Sequence, residues 1–289
     1  MATEAGFLPG FVITFRESLE VALVLGIILG YLAKSKLSKL NSVVYSGLGA
    51  GIAASLMAAF LFVSLAGGFE GAAEQIFEGV TMLAGAALMT TMILWVMGQE
   101  NMAGGIRHDI EAKLSGSYKQ GLFFLVFFSV LREGVETVIF LGTVSFSSTR
   151  TATLLGALIG IAMAASLGYA LFVSSMKLNI RVFFSATNLL LILFAAGLIA
   201  QAAHEFSEAN VLPPIIEKVW DMNPPLNPDG TYPLMHDEGK IGGALRSFFG
   251  YRAAPSLIEL MSYVSYLAIV LFLVFRAKGK AQPSRLQGR

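Results

Sequence analysis

Apolar residues in this chain come in long runs, at about 7–33, 42–66, 73–98, 120–144, 151–175, 181–204 and 255–277, separated by polar stretches. An α-helix needs about 20 such residues to cross a bilayer. The pattern therefore predicts an all-α, polytopic membrane protein with seven transmembrane helices. The start of the third run is the least distinct, because Glu70, Glu74 and Glu78 precede or enter it. Two runs break the apolar pattern at their centres. The first contains Arg16-Glu17-Ser18-Leu19-Glu20 and the fourth Arg132-Glu133-Gly134-Val135-Glu136. A carboxylate or guanidinium at the bilayer centre costs about 2.5–3.5 kcal/mol, so six carry a nominal penalty of roughly 15–20 kcal/mol before pairing. Solubility does not require that cost. Ionisable groups at this depth point to a pathway or a binding site.

Composition agrees with the class. The chain is 55% hydrophobic and 13% charged, against about 25% charged residues in a soluble domain. Cysteine is absent, which excludes disulfides, thiolate metal ligands and cysteine nucleophiles. A net charge of +1 gives no reason to expect a nucleic-acid partner. The first run lacks a basic leader and carries charges in its middle, so a permanent span is expected rather than a cleaved signal.

Basic residues orient the spans. One side collects Lys34, Lys36, Lys39, Arg107, Lys113, Lys119, Lys177, Arg181, Arg276, Lys278, Lys280, Arg285 and Arg289; the other holds Arg150, Lys218, Lys240, Arg246 and Arg252. The positive-inside rule makes the first side cytoplasmic, with the N-terminus outside and the C-terminus inside. Acidic residues concentrate on the outer side, where they would raise the local cation concentration. Acids also gather in non-cytoplasmic loops without any such role. The outer segment at about 205–254 contains six of the nine prolines. It is expected to form an extracytoplasmic cap, with a short helix around Ile215–Trp220.

Shifting the chain by 116 positions aligns Phe11–Gly26 with Phe127–Gly142, including both arginines and all four motif glutamates. Gly47-x-x-x-Gly51 likewise echoes Gly156-x-x-x-Gly160, each a small-residue face suited to close helix packing. The third helices show no convincing identity. The expected organisation is a 3+3 inverted-topology repeat plus one extra helix: residues 1–110, residues 111–204, the cap at 205–254, and the last helix with its basic tail at 255–289. Inverted repeats of this kind place the substrate near the midplane between them.

On a helix turning about 100° per residue, Arg16, Glu17 and Glu20 share an arc of about 100°. Arg16 and Glu20 are i, i+4 neighbours, as are Arg132 and Glu136, so each arginine can hold one carboxylate. Buried ion pairs that only fix helix register are the plainer reading, but each motif has two carboxylates for one arginine. Facing motifs supply four carboxylates, an oxygen-only set suited to hard cations such as Ca²⁺, Mg²⁺, Mn²⁺ or ferric iron. The set is Glu17, Glu20, Glu133 and Glu136, with Arg16 and Arg132 in support. Glu70, Glu74 and Glu78 form a second acidic stripe at i, i+4, i+8, read as ion-collecting or as a solvated helix face. Glu74 and Glu78 are the candidates for further metal ligands. His204, Glu205 and Glu208 crowd the outer end of the sixth helix, as an entrance cluster or an ordinary polar helix end. Met82, Met89, Met92 and Met97 are expected to pack, and Trp95 and Trp220 to anchor at the interface.

The two Arg-Glu-x-x-Glu motifs, in the first and fourth of seven spans, resemble the oxidase-dependent iron permease family of fungi and bacteria. The resemblance covers nearly the whole chain. It implies a permease rather than an enzyme, with the motif glutamates as iron ligands. Iron is then a transported substrate, and no cofactor is permanently bound. It also implies an extracytoplasmic partner: an oxidase, a peroxidase or an iron-binding protein. The alternatives are a permease for another hard cation such as manganese, and a non-transporting membrane subunit that docks an oxidase.

Overall fold

The computed structural model describes residues 6–98, 118–173 and 180–281, apart from positions 214, 228, 230, 231 and 238. Its described residues form eight α-helices and no strand: α1 (Phe7–Lys34), α2 (Asn41–Ala66), α3 (Ala72–Gly98), α4 (Tyr118–Ser147), α5 (Arg150–Val173), α6 (Ile180–Glu208), α7 (Lys240–Phe249) and α8 (Leu257–Ala281). Five of them (α2, α3, α5, α6 and α8) are long and apolar enough to cross a membrane. The other two long helices, α1 and α4, run for 28 and 30 residues. What separates them from the five is their charged motifs.

Helix ends follow local backbone chemistry rather than hydropathy. Lys36 and Asn210 both adopt left-handed backbone, with φ of 58°. Behind Lys36, Leu37 N–H donates to Leu32 O at 2.8 Å; behind Asn210, Val211 N–H donates to Phe206 O at 2.9 Å. Each is a Schellman closure, and asparagine tolerates its left-handed position well. Hydropathy falls at His204, yet α6 continues to Glu208 because its stop signal is Asn210. His204, Glu205 and Glu208 therefore stand on the last turns of one helix.

The short helix expected around Ile215–Trp220 is absent. That stretch is irregular and lies against residues 253–257, with Val219 N–H donating to Pro255 O (2.9 Å) and Leu257 N–H donating to Ile216 O (3.0 Å). Flanking prolines disfavour a helix there, and the neighbouring segment satisfies part of the backbone instead. The helix of this segment is α7, which ends at Gly250 with a positive φ of 67°. Gly250 lies directly on Gly197 of α6: a Cβ on Gly197 would come within 2.6 Å of Gly250 N. Gln201 donates to Arg246 O at 3.1 Å beside this contact. Gly197 is 11 residues before the end of α6, about 16 Å along the helix, so the cap dips between the helices rather than resting above them.

α1 packs chiefly on α5, α2 on α4 and α3 on α6, while α1 and α4 also touch and α8 lies along α6 and α3. Glycines set the two closest pairings. Cβ atoms on Gly156 and Gly160 of α5 would meet Phe7 O at 2.1 Å and Phe11 O at 2.6 Å. Cβ atoms on Gly47 and Gly51 of α2 would meet Phe123 O at 2.9 Å and Phe127 O at 3.2 Å. The outward face of α2 is apolar and uncovered, with Leu56, Met57 and Phe60 exposed. The boundary at 110/111 and His108 lie outside the described residues, as do the side chains of Trp95 and Met97.

Candidate metal site

The close α1–α5 and α2–α4 pairings bring the two charged motifs face to face. Thr14, two residues before the first motif, is fully buried and donates to Ala157 O of α5 at 3.0 Å, locking the rotation of α1. In the second motif Gly134 leaves the space that Ser55 of α2 fills: a Cβ there would lie 1.9 Å from Ser55 Oγ. A larger residue at that position would push α2 off α4.

Glu17, Glu20 and Glu133 are all buried, and each places a carboxylate oxygen within 4.8 Å of the others. Arg16 Nη1 bonds Glu17 Oε1 at 3.1 Å, and Arg16 Nη2 pairs with Glu20 Oε1 at 3.1 Å. Arg132 bonds Glu133 Oε1 through Nε at 3.0 Å and through Nη2, and its Nε lies 3.6 Å from Glu136 Oε1. The i, i+4 pairs expected from spacing are present. Each arginine also takes the adjacent glutamate, which the spacing argument did not anticipate.

Charge is left over. Four carboxylates against two guanidinium groups give a formal charge of −2 when all are ionised. Glu17 Oε2, Glu133 Oε2 and Glu136 Oε2 are buried without a hydrogen-bond partner. A buried charge without a partner is costly, so the deficit is of the kind a bound cation removes. The donors are all carboxylate oxygens, which suit hard or borderline cations. A cleft of about 290 Å³, lined by Leu88, Thr91, Met92, Arg132 and Glu136, reaches the set from the α3 side.

Glu74 and Glu78 are not part of this group. Glu70 and Glu74 are exposed, and Glu78 is half-buried with Glu205, Glu74 and Glu208 as its charged neighbours. The α3 residue that touches the motif set is Met92, 14 positions beyond Glu78 and about 21 Å further along the helix. One ion cannot bind both levels. This second group is tied together by His204, whose Nε2 lies 2.9 Å from Glu208 Oε1 and whose Nδ1 lies 2.9 Å from Glu259 Oε1. Arg252 Nη1 donates to Glu259 Oε1 at 3.0 Å. The charge pattern missed Glu259 and Arg252 as members of this cluster. For Glu259 the available signal was an acid in the first turn of an otherwise apolar helix.

The chain matches the sequence pattern described as the iron permease FTR1 family over residues 7–282. It is 33% identical over 273 residues to an uncharacterized protein of Archaeoglobus fulgidus, covering 93% of this chain and 95% of that one. Similarity to a ferrous iron permease EfeU of Escherichia coli O6:H1 is 30% over 276 residues, covering 93% and 95% of the two chains. A ferrous iron permease EfeU of Yersinia pestis is 28% identical over 275 residues, with 93% of each chain covered. No solved structure matches.

Proposed function

Because the chain belongs to the iron permease FTR1 family, a family of membrane permeases rather than enzymes, we propose that it carries iron through the midplane set of Glu17, Glu20, Glu133 and Glu136. The observation that carries this reading is the convergence of buried carboxylates from two separate motifs with positive charge still wanting. Arg16 and Arg132 keep the empty set from flying apart and yield as a cation arrives. The outer acids Glu70, Glu74, Glu78, Glu205 and Glu208 attract cations towards the membrane.

Seven spans in a 3+3 inverted repeat, with the N-terminus outside, form the architecture of this proposal. The glycine contacts support the repeat. Phe7 and Phe11 meet Gly156 and Gly160; 116 positions later, Phe123 and Phe127 meet Gly47 and Gly51. The exchange of α1 with α4 and of α2 with α5 maps one pairing onto the other, as a two-fold relation requires.

The family resemblance implies ferric iron released by a separate extracytoplasmic oxidase. Charge favours a second reading. A divalent ion neutralises a site of formal charge −2, and two of the relatives above are named ferrous iron permeases. Uptake by the purified chain alone in proteoliposomes tests the proposal, with iron offered either reduced by ascorbate or as a ferric chelate. Iron entering the vesicles in one arm supports transport and identifies the oxidation state. No uptake in either arm overturns transport by the chain alone in favour of a subunit that docks an oxidase. Manganese outcompeting iron would overturn the assignment of the cargo.

A further inference from the structure

Methionines on α3 are expected to pack, and Met82 and Met89 do, both wholly buried in the core between α3 and α6. Met92 does something else. It is only partly buried, and Arg16 Nη2 donates to its Sδ at 2.8 Å. The same Nη2 also faces Glu20 Oε1 at 3.1 Å. Met92 lines the cleft that reaches Arg132 and Glu136. One thioether from the third helix therefore stands beside both charged motifs.

Arg16 is wholly buried, so an N–H that loses its partner finds no water to replace it. Glu20 has competing duties. Its carboxylate neutralises Arg16 when the site is empty, and must turn to a cation when the site is filled. Once it turns, the acceptor left beside Nη2 is the Met92 sulfur, a weak acceptor but one already in contact. We propose that Met92 is a positioning residue for ion binding: its thioether holds Arg16 Nη2 while Glu20 ligates the cation. The sulfur acts through the arginine and does not itself ligate the cargo. This role rests on the permease reading.

The test uses the full chain in proteoliposomes, with iron uptake followed as a function of iron concentration. Met92→Leu preserves volume and removes the acceptor; Met92→Gln restores an acceptor at similar reach. Met92→Leu should raise the apparent KM for iron about three- to tenfold, the scale of one lost hydrogen bond. Its maximal rate and membrane level should stay within about twofold of wild type. Met92→Gln should bring the KM back towards wild type. An unchanged KM in Met92→Leu, or a KM in Met92→Gln no better than in Met92→Leu, would overturn the role. Packing alone predicts the opposite order, with leucine the better substitute. Absence of uptake by the wild-type chain would refute the permease reading itself, whereas normal wild-type uptake with an unaffected Met92→Leu refutes only the part given to Met92.

Discussion

The two charged motifs share one pattern and occupy different surroundings. Arg16 is fully buried and contacts Glu17, Glu20 and Met92. Arg132 pairs with both of its glutamates in the same manner, yet 57% of its side chain is exposed. Pairing within a motif is set by residue spacing on one helix, so both copies reproduce it. Burial is set by what lies across from the motif, and there the third helices matter. α3 covers Arg16 with Met92, while the cleft bounded by Leu88, Thr91 and Met92 leaves Arg132 open. Those third helices show no convincing sequence identity, and the likeness of the two motifs' surroundings ends with them.

The sharpest way to break the comparison is to remove each arginine. Arg16→Ala strands two carboxylates in a closed site, at a cost of about 3–5 kcal/mol. It should yield little properly folded protein and no uptake. Arg132→Ala also strands Glu133 and Glu136, but 57% of the Arg132 side chain is exposed, so the loss should be smaller than for Arg16→Ala, about 1–3 kcal/mol. The measurement is the monodisperse fraction after detergent extraction together with uptake in proteoliposomes. Equal losses for the two variants would show that the exposure of Arg132 has no energetic meaning. Ligand removal should ignore the asymmetry: Glu17→Ala, Glu20→Ala, Glu133→Ala and Glu136→Ala should each reduce uptake by about tenfold or more while protein reaches the membrane. Full transport by a Glu17→Ala/Glu133→Ala double variant would sink the shared site.

Helix contacts give a second comparison of smaller size. A methyl group on Gly156 would meet the backbone oxygen of Phe7 at 2.1 Å, whereas the equivalent methyl on Gly47 would meet Phe123 O at 2.9 Å. Backbone cannot swing aside as a side chain does. Gly156→Ala should therefore lower thermal stability in detergent by about 1–3 kcal/mol, and Gly47→Ala by less. The reverse order would mean that α1 sits less tightly on α5 than α2 sits on α4.

Much of this was legible in the chain. The apolar runs give the long helices to within a few residues, since crossing length and hydropathy are local properties. The motif glutamates were legible too, because charge inside an apolar run is conspicuous. The end of α6 was misplaced for a local reason: hydropathy drops at His204, while the backbone signal is Asn210. The non-helical path of residues 215–220 depends on a partner about 36–41 positions away in sequence, which no local pattern announces. Met92, Glu259 and Arg252 were missed as site neighbours for the same reason. Each acquires its role from a residue on another element, and of the three only Glu259, an acid in the first turn of an apolar helix, stands out in its own segment.

The smallest effect probes the asymmetry without disturbing it. The chain has no native cysteine, so a single introduced thiol reports its own surroundings. Thr91 is exposed and lines the cleft, while Thr14 is fully buried between α1 and α5. A thiolate reacts only where water and reagent can reach it. Thr91→Cys should react with a small methanethiosulfonate reagent at least about tenfold faster than Thr14→Cys, and unmodified Thr91→Cys should show little change in uptake. Manganese or iron added beforehand should slow the reaction at position 91, because a cation drawn to Glu136 and its neighbours occupies the approach to the cleft. Equal rates at the two positions would close the cleft. Equal rates with and without metal would leave it open but separate it from the ion's path.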